Sequence, residues 1–117
     1  MLQHVAHETR PADVDAVLAF WVLLGFGAVE PPASLRGRTH WLERRGTHIH
    51  LLVTDDPVVP PSGHAAVVAE DFEATIAALR AAGHPVDPRR AHWGAARAFV
   101  TDPSGHRVEV MSAPPSG

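Results

Sequence analysis

The chain repeats itself, and that repeat limits its possible folds more than any other feature. "DVDAVLAFWVLLG" (Asp13 to Gly25) and "DFEATIAALRAAG" (Asp71 to Gly83) each run twelve positions from an Asp to a Gly. The Asp is placed to cap a helix N-terminus and the Gly to end it in a left-handed turn. Between them Val14, Val17, Leu18 and Trp21 recur at helical spacing, as do Phe72, Ile76 and Leu79 in the second copy. The flanks repeat as well. "HVAHE" from His4 and "HAAVVAED" from His64 precede the helices, and "GTHIHLLV" and "GHRVEVMS" follow, with His50 matched to Glu109. The offset between copies stays between 58 and 60 positions at four anchors.

Each copy therefore reads strand, helix, then three strands, an α+β chain of two βαβββ modules. The first module spans 1–53, with strands expected near 2–7, 27–30, 38–44 and 47–53 and a helix near 13–24. The second spans 64–112, with strands near 64–69, 85–89, 96–101 and 107–112 and a helix near 71–82. "TDPSG" at 101–105 has the residues of a tight turn joining the last two strands. Three prolines make 54–63 an extended linker, and 113–117 reads as a frayed tail.

Strand alternation turns this pattern into a site. Ile49, Leu51 and Val53, like Val108 and Val110, suit the face covered by the helix. His48, His50 and Leu52 then point the other way, with Arg107, Glu109 and Met111. Two halves facing each other across that surface bring His4, His50, His64 and Glu109 towards one point. Three imidazoles and a carboxylate suit a divalent cation such as Zn, Ni, Fe, Mn or Co. His7 is a rival to His4, but alternation puts it on the opposite face. His48 lies one step along the strand, at the rim of a pocket. His40, His84, His92 and His106 are expected in loops or facing away, exposed to solvent.

Composition narrows the partners. A formal charge of −3 with no basic stripe argues against nucleic acid. No apolar run reaches the length of a membrane span. "MLQHVAHETR" has no signal-peptide h-region, so a cytoplasmic protein is expected. The absence of Cys excludes thiol chemistry, and the absence of Lys excludes Schiff bases.

The opening His, the ligand before the linker, the second opening His and "DPSGHRVEV" together resemble the vicinal oxygen chelate superfamily, over nearly the whole chain. That superfamily includes glyoxalase I, methylmalonyl-CoA epimerase, ring-cleaving dioxygenases, fosfomycin-resistance transferases and bleomycin-resistance proteins. The resemblance implies a cup-shaped mixed sheet around a metal, with helices outside. Position by position, it makes His4, His64 and Glu109 the three shared ligands. His50 stands where glyoxalase I has Glu or Gln, so it is either a fourth ligand or a base titrating near neutral pH. Trp41 and Phe99 occupy matching places in the two halves and are expected to face the cup or pack in the core. "AHWGAARAF" (91–99) resembles a loop bordering the pocket, which adds Trp93 and Arg97 to His48 and Met111 as candidate substrate contacts.

The resemblance implies a metal-dependent enzyme on a small oxygen-rich molecule, with lyase or isomerase chemistry of glyoxalase type through a metal-chelated enolate. His50 or Glu109 would move the proton. Extradiol ring cleavage with Fe(II) is the second enzymatic reading, although the chain has no Tyr to serve as auxiliary acid. Thiol transfer to fosfomycin is disfavoured by the lack of Lys. A metal-free, drug- or metabolite-binding protein of bleomycin-resistance type is the reading from another class, kept open by three Trp residues. A homodimer is expected, with the modules closing a cup within one chain or between two.

Overall fold

The computed structural model describes residues 1–115, so the last two positions of the expected tail at 113–117 lie outside it. The chain divides into two compact units, one of Met1–Val59 and one beginning at Pro60. The division falls inside the proline-rich segment 54–63.

The first unit has β1 (His4–Thr9), α1 (Val14–Leu23), β2 (Gly27–Val29), β3 (Thr39–Arg44) and β4 (Thr47–Val53). Its strands form one sheet in the order β1-β4-β3-β2, with β1 and β4 parallel and the other pairs antiparallel. The second unit repeats the plan with β5 (Ala65–Val68), α2 (Phe72–Ala81), β6 (Val86–Arg89), β7 (Arg97–Thr101) and β8 (Arg107–Met111). Its order is β5-β8-β7-β6, again with only the outer pair β5–β8 parallel. The parallel pair is what a βαβ crossover requires, because the helix carries the chain back to the start of the sheet. Two βαβββ modules with mixed four-stranded sheets are thus present in the expected order.

Each helix buries one stripe on one face of its own sheet. In the first unit Val17, Phe20 and Trp21 are buried with Leu42, Ile49 and Leu51. Trp21 meets Phe20 and Phe26 edge-on, at 5.5 and 5.2 Å between ring centres. Phe20 takes a core place where the periodicity had put Leu18, which is half-buried. In the second unit Ile76 and Leu79 are buried with Ala98, Val100, Val108 and Val110. His7 is buried on this covered face beside Trp21, so the alternation separated it correctly from His4.

The two helices start differently. Asp71 caps α2, its Oδ1 accepting from the Ala74 amide at 3.1 Å. Asp13 makes no such bond, because Pro11–Asp13 forms a 3₁₀ turn running directly into α1 and leaves Asp13 with helical backbone angles. Both helices end as expected, with Gly25 at φ +90° and Gly83 at φ +85°. Strand β1 starts two residues later than expected, at His4. Among the described residues no helix is long and apolar enough to cross a membrane.

Candidate functional site

In each unit the face turned away from the helix carries the chemistry. In the first unit Trp41 on β3 lies opposite His50 on β4. Their rings stack at 4.0 Å between centres and 4° between planes. His4 at the start of β1 stacks on His50 at 4.2 Å and 17°. One ladder of three rings, Trp41–His50–His4, therefore crosses three neighbouring strands. His48 closes on its side, with Nδ1 3.1 Å from His50 Nε2, so one of these nitrogens holds the proton that the other accepts.

His50 is only 8% exposed. Burial, then the nearby rings of His4 and His48, lowers its pKa from 6.5 to about 4. A base titrating near neutrality was expected here. The desolvation that comes with stacking moves the group out of that range and keeps it neutral in neutral solution. A cavity of about 370 Å³ lies beside the ladder, lined by Leu35, Arg38, Thr39, Trp41, His50 and Leu52. Trp41 is held by its Nε1–H, which donates to Thr39 Oγ1 at 3.0 Å.

In the second unit the repeat places Glu109 on β8 opposite Phe99 on β7. Glu109 is 7% exposed and bound at both oxygens. His64 Nε2 lies 3.2 Å from Oε1, and Arg97 Nη1 donates to Oε2 at 3.2 Å. His64 also meets Phe99 edge-on, at 4.9 Å. The Arg97 guanidinium donates from Nε to the Arg90 carbonyl at 2.8 Å and lies over the Trp93 ring at 5.8 Å. Trp93 itself is tied by its indole N–H to the Ala113 carbonyl at 2.9 Å, which makes it a support for Arg97. Met111 pairs in register with Arg97 and is buried.

The ring states of the two opening histidines match. His64 Nδ1–H donates to the Ser62 carbonyl at 2.9 Å, and His4 Nδ1–H to Gln3 Oε1 at 2.6 Å. Each bond fixes the tautomer and leaves Nε2 for another partner, the arrangement found behind metal-bound imidazoles. At His64 that nitrogen faces a carboxylate oxygen, so a proton or a cation must lie between two acceptors. Their 3.2 Å separation is also close to the ligand–ligand edge, about 3.3 Å, of a tetrahedral zinc site. The donor chemistry of His64 and Glu109 thus fits a divalent cation. Among the described residues, no three His, Cys, Asp or Glu side chains are placed to hold one ion together. In the first unit the reason is visible, because rings stacked face to face send their nitrogens side by side rather than to one point.

The family model for the Glyoxalase/Bleomycin resistance protein/Dioxygenase superfamily matches residues 2–110. The chain belongs to this superfamily. Its sheets and helices also superpose on solved structures of the fold. A protein from Bacillus anthracis assigned to the glyoxalase family aligns with a TM-score of 0.83 at 22% identity, over 95% of this chain and 93% of that one. The oxidase ChaP-H2 gives 0.77 at 20% identity, over 100% and 96%. A lactoylglutathione lyase from Agrobacterium tumefaciens gives 0.71 at 22%, over 95% and 92%. No curated protein matches the chain.

Three features of this superfamily member were missed from sequence. His106 was expected in solvent but is buried, its amide donating to Asp102 Oδ1 at 2.9 Å to close the 102–106 turn. The partnership of Arg97 with Glu109 joins adjacent strands and has no local signature. Arg89 also reaches Phe99, its guanidinium carbon 5.3 Å from the ring centre, beside Arg107 at 4.8 Å, which alternation had already put on that face. Alternation carried from Phe99 through the paired strands could have placed Arg89 there too.

Proposed function

We propose that the protein is a metal-dependent enzyme acting on a small oxygen-rich molecule, with glyoxalase-type lyase or isomerase chemistry. The observation that carries this reading is the His64–Glu109 pair, two acceptors 3.2 Å apart with the imidazole tautomer fixed from behind. His4, with the same ring state, would be the third ligand. A bound divalent ion supplies Lewis-acid polarisation of substrate oxygens. Arg97 orients Glu109 by holding its second oxygen. His50, neutral at pH 7, would accept a proton from one substrate carbon and return it to the neighbouring carbon, its ring held by the contact with His48 Nδ1, 3.1 Å from Nε2. Glu109 is the second candidate for that transfer. Trp41 and Phe99 would wall the substrate, in a homodimeric, cytoplasmic protein.

Elemental analysis of freshly purified protein tests the reading. About one equivalent of a divalent metal per chain is expected, dropping at least tenfold in His64→Ala and Glu109→Ala. Isomerisation of hemithioacetals should vanish on chelation and return with metal. Protein without metal whose behaviour ignores chelators would rule the reading out.

The Trp41–His50–His4 ladder favours a second reading, a protein that binds a planar drug or metabolite without turning it over. Stacking surfaces bind flat rings whatever their substituents. Tight binding of an aromatic ligand by metal-stripped protein, with no product formed, would select it.

A further inference from the structure

Three guanidinium groups surround the Phe99 ring on the open face of the second sheet, those of Arg89, Arg97 and Arg107 at 5.3, 5.7 and 4.8 Å from its centre. Two carboxylates answer them. Asp87 pairs with Arg89 at 3.0 Å and Glu109 with Arg97 at 3.2 Å. Arg107 has no carboxylate within ion-pair distance among the described residues, and it lies over the face of Phe99. The patch thus holds one positive charge more than its own acids neutralise. That charge sits on a planar fork half-shielded from water beside an aromatic wall. Such a fork matches a carboxylate in two parallel hydrogen bonds, and partial desolvation strengthens them. Phe99 also touches His64 edge-on at 4.9 Å, so the fork and the His64–Glu109 pair flank the same ring.

We infer that Arg107 is a carboxylate subsite, and that the molecule taken by this protein is a small carboxylic acid. Its acid group lies on Arg107, its body lies on Phe99, and its further oxygens reach towards His64 and Glu109. The carboxylate contact stands on its own. Only its service to turnover rests on the metal-dependent reading above.

Benzoate is a suitable probe, because it offers one carboxylate on a flat body. Calorimetric titration of chelator-treated protein should detect benzoate binding that weakens with salt, together with perturbation of the Arg107 Nε–H resonance. Arg107→Met should weaken it about tenfold or more, and Arg107→Lys, which keeps charge but loses the fork, by an intermediate factor. Arg36→Met, a change of equal charge in the other unit, should leave it unchanged. Benzamide should bind at least tenfold more weakly than benzoate. Thermal melts of each variant separate loss of binding from loss of fold. Equal binding by wild type and a folded Arg107→Met, no benzoate binding by wild type, or preference for inorganic phosphate over benzoate would each overturn the inference. If the protein carries no metal yet benzoate still depends on Arg107, the enzyme reading alone fails.

Discussion

His50 and Asp102 show how burial sets the behaviour of single side chains. Folding lowers the His50 pKa from 6.5 to about 4, so the unfolded chain takes up that proton first as pH falls. The stability tied to the neutral ring is complete above 6.5 and is lost as pH drops from 6.5 towards 4. Urea unfolding of metal-free protein should lose about 2 kcal/mol from this group between pH 7.5 and 5, and His50→Gln should remove that share of the slope. Asp102 runs the other way. Burial raises its pKa, against the amides of His106, Ser104 and Gly105 and the nearby His106 ring. Its contribution is therefore favourable at low pH and declines as pH rises through the folded value. Asp102→Asn keeps an acceptor for the Ser104 and His106 amides and should leave stability at pH 7 within about 1 kcal/mol of wild type. Asp102→Ala strands those amides and should cost about 1–3 kcal/mol by the same measurement. The buried states of His50 and His106 could not be read from sequence, since each depends on partners from other strands or on the path of a turn.

Elements were more legible than side-chain states, and the repeat is why. Period-2 alternation placed His50 and Glu109 on open faces, and matching places in the repeat left Trp41 and Phe99 between open face and core. The strand register pairs Trp41 with His50 and Phe99 with Glu109. Helical spacing found both helices and both terminal glycines. It failed where two local signals competed. Asp13 looks like Asp71, but Pro11 starts a 3₁₀ turn that draws Asp13 into helical geometry and away from the cap. The two acids should respond differently in thermal unfolding. Asp71→Ala should cost about 1 kcal/mol, and Asp13→Ala no more than about 0.5 kcal/mol. Gly83→Ala, at φ +85° with open space around it, should cost about 1 kcal/mol through backbone strain alone.

At the scale of the whole molecule, the duplication gives two units that are alike in topology and unlike in chemistry. The first offers stacked rings and a neutral imidazole, the second a carboxylate, an imidazole and a surplus of guanidinium. Matching positions hold His50 in one and Glu109 in the other, so the repeat preserves backbone placement while the side chains diverge. If the metal-dependent reading holds, ion binding stabilises the folded chain by mass action. A metal concentration of about one hundred times Kd should then add about 2.7 kcal/mol, reversed by chelator and blunted in His4→Ala, His64→Ala and Glu109→Ala. Melting curves with and without metal check this. An unchanged wild-type curve would contradict it.

The sheet order also bears on how the chain reaches its native state. In each unit the first strand pairs with the last, residue 4 with residue 48 and residue 65 with residue 108. Closing such long loops costs entropy before the distant contacts can repay it, so helices and hairpins formed early gain little until the final strand docks. Each unit should therefore assemble late and all at once, in milliseconds or longer. A substitution that weakens β4 or β8 should slow folding more than an equally destabilising one in β2 or β6.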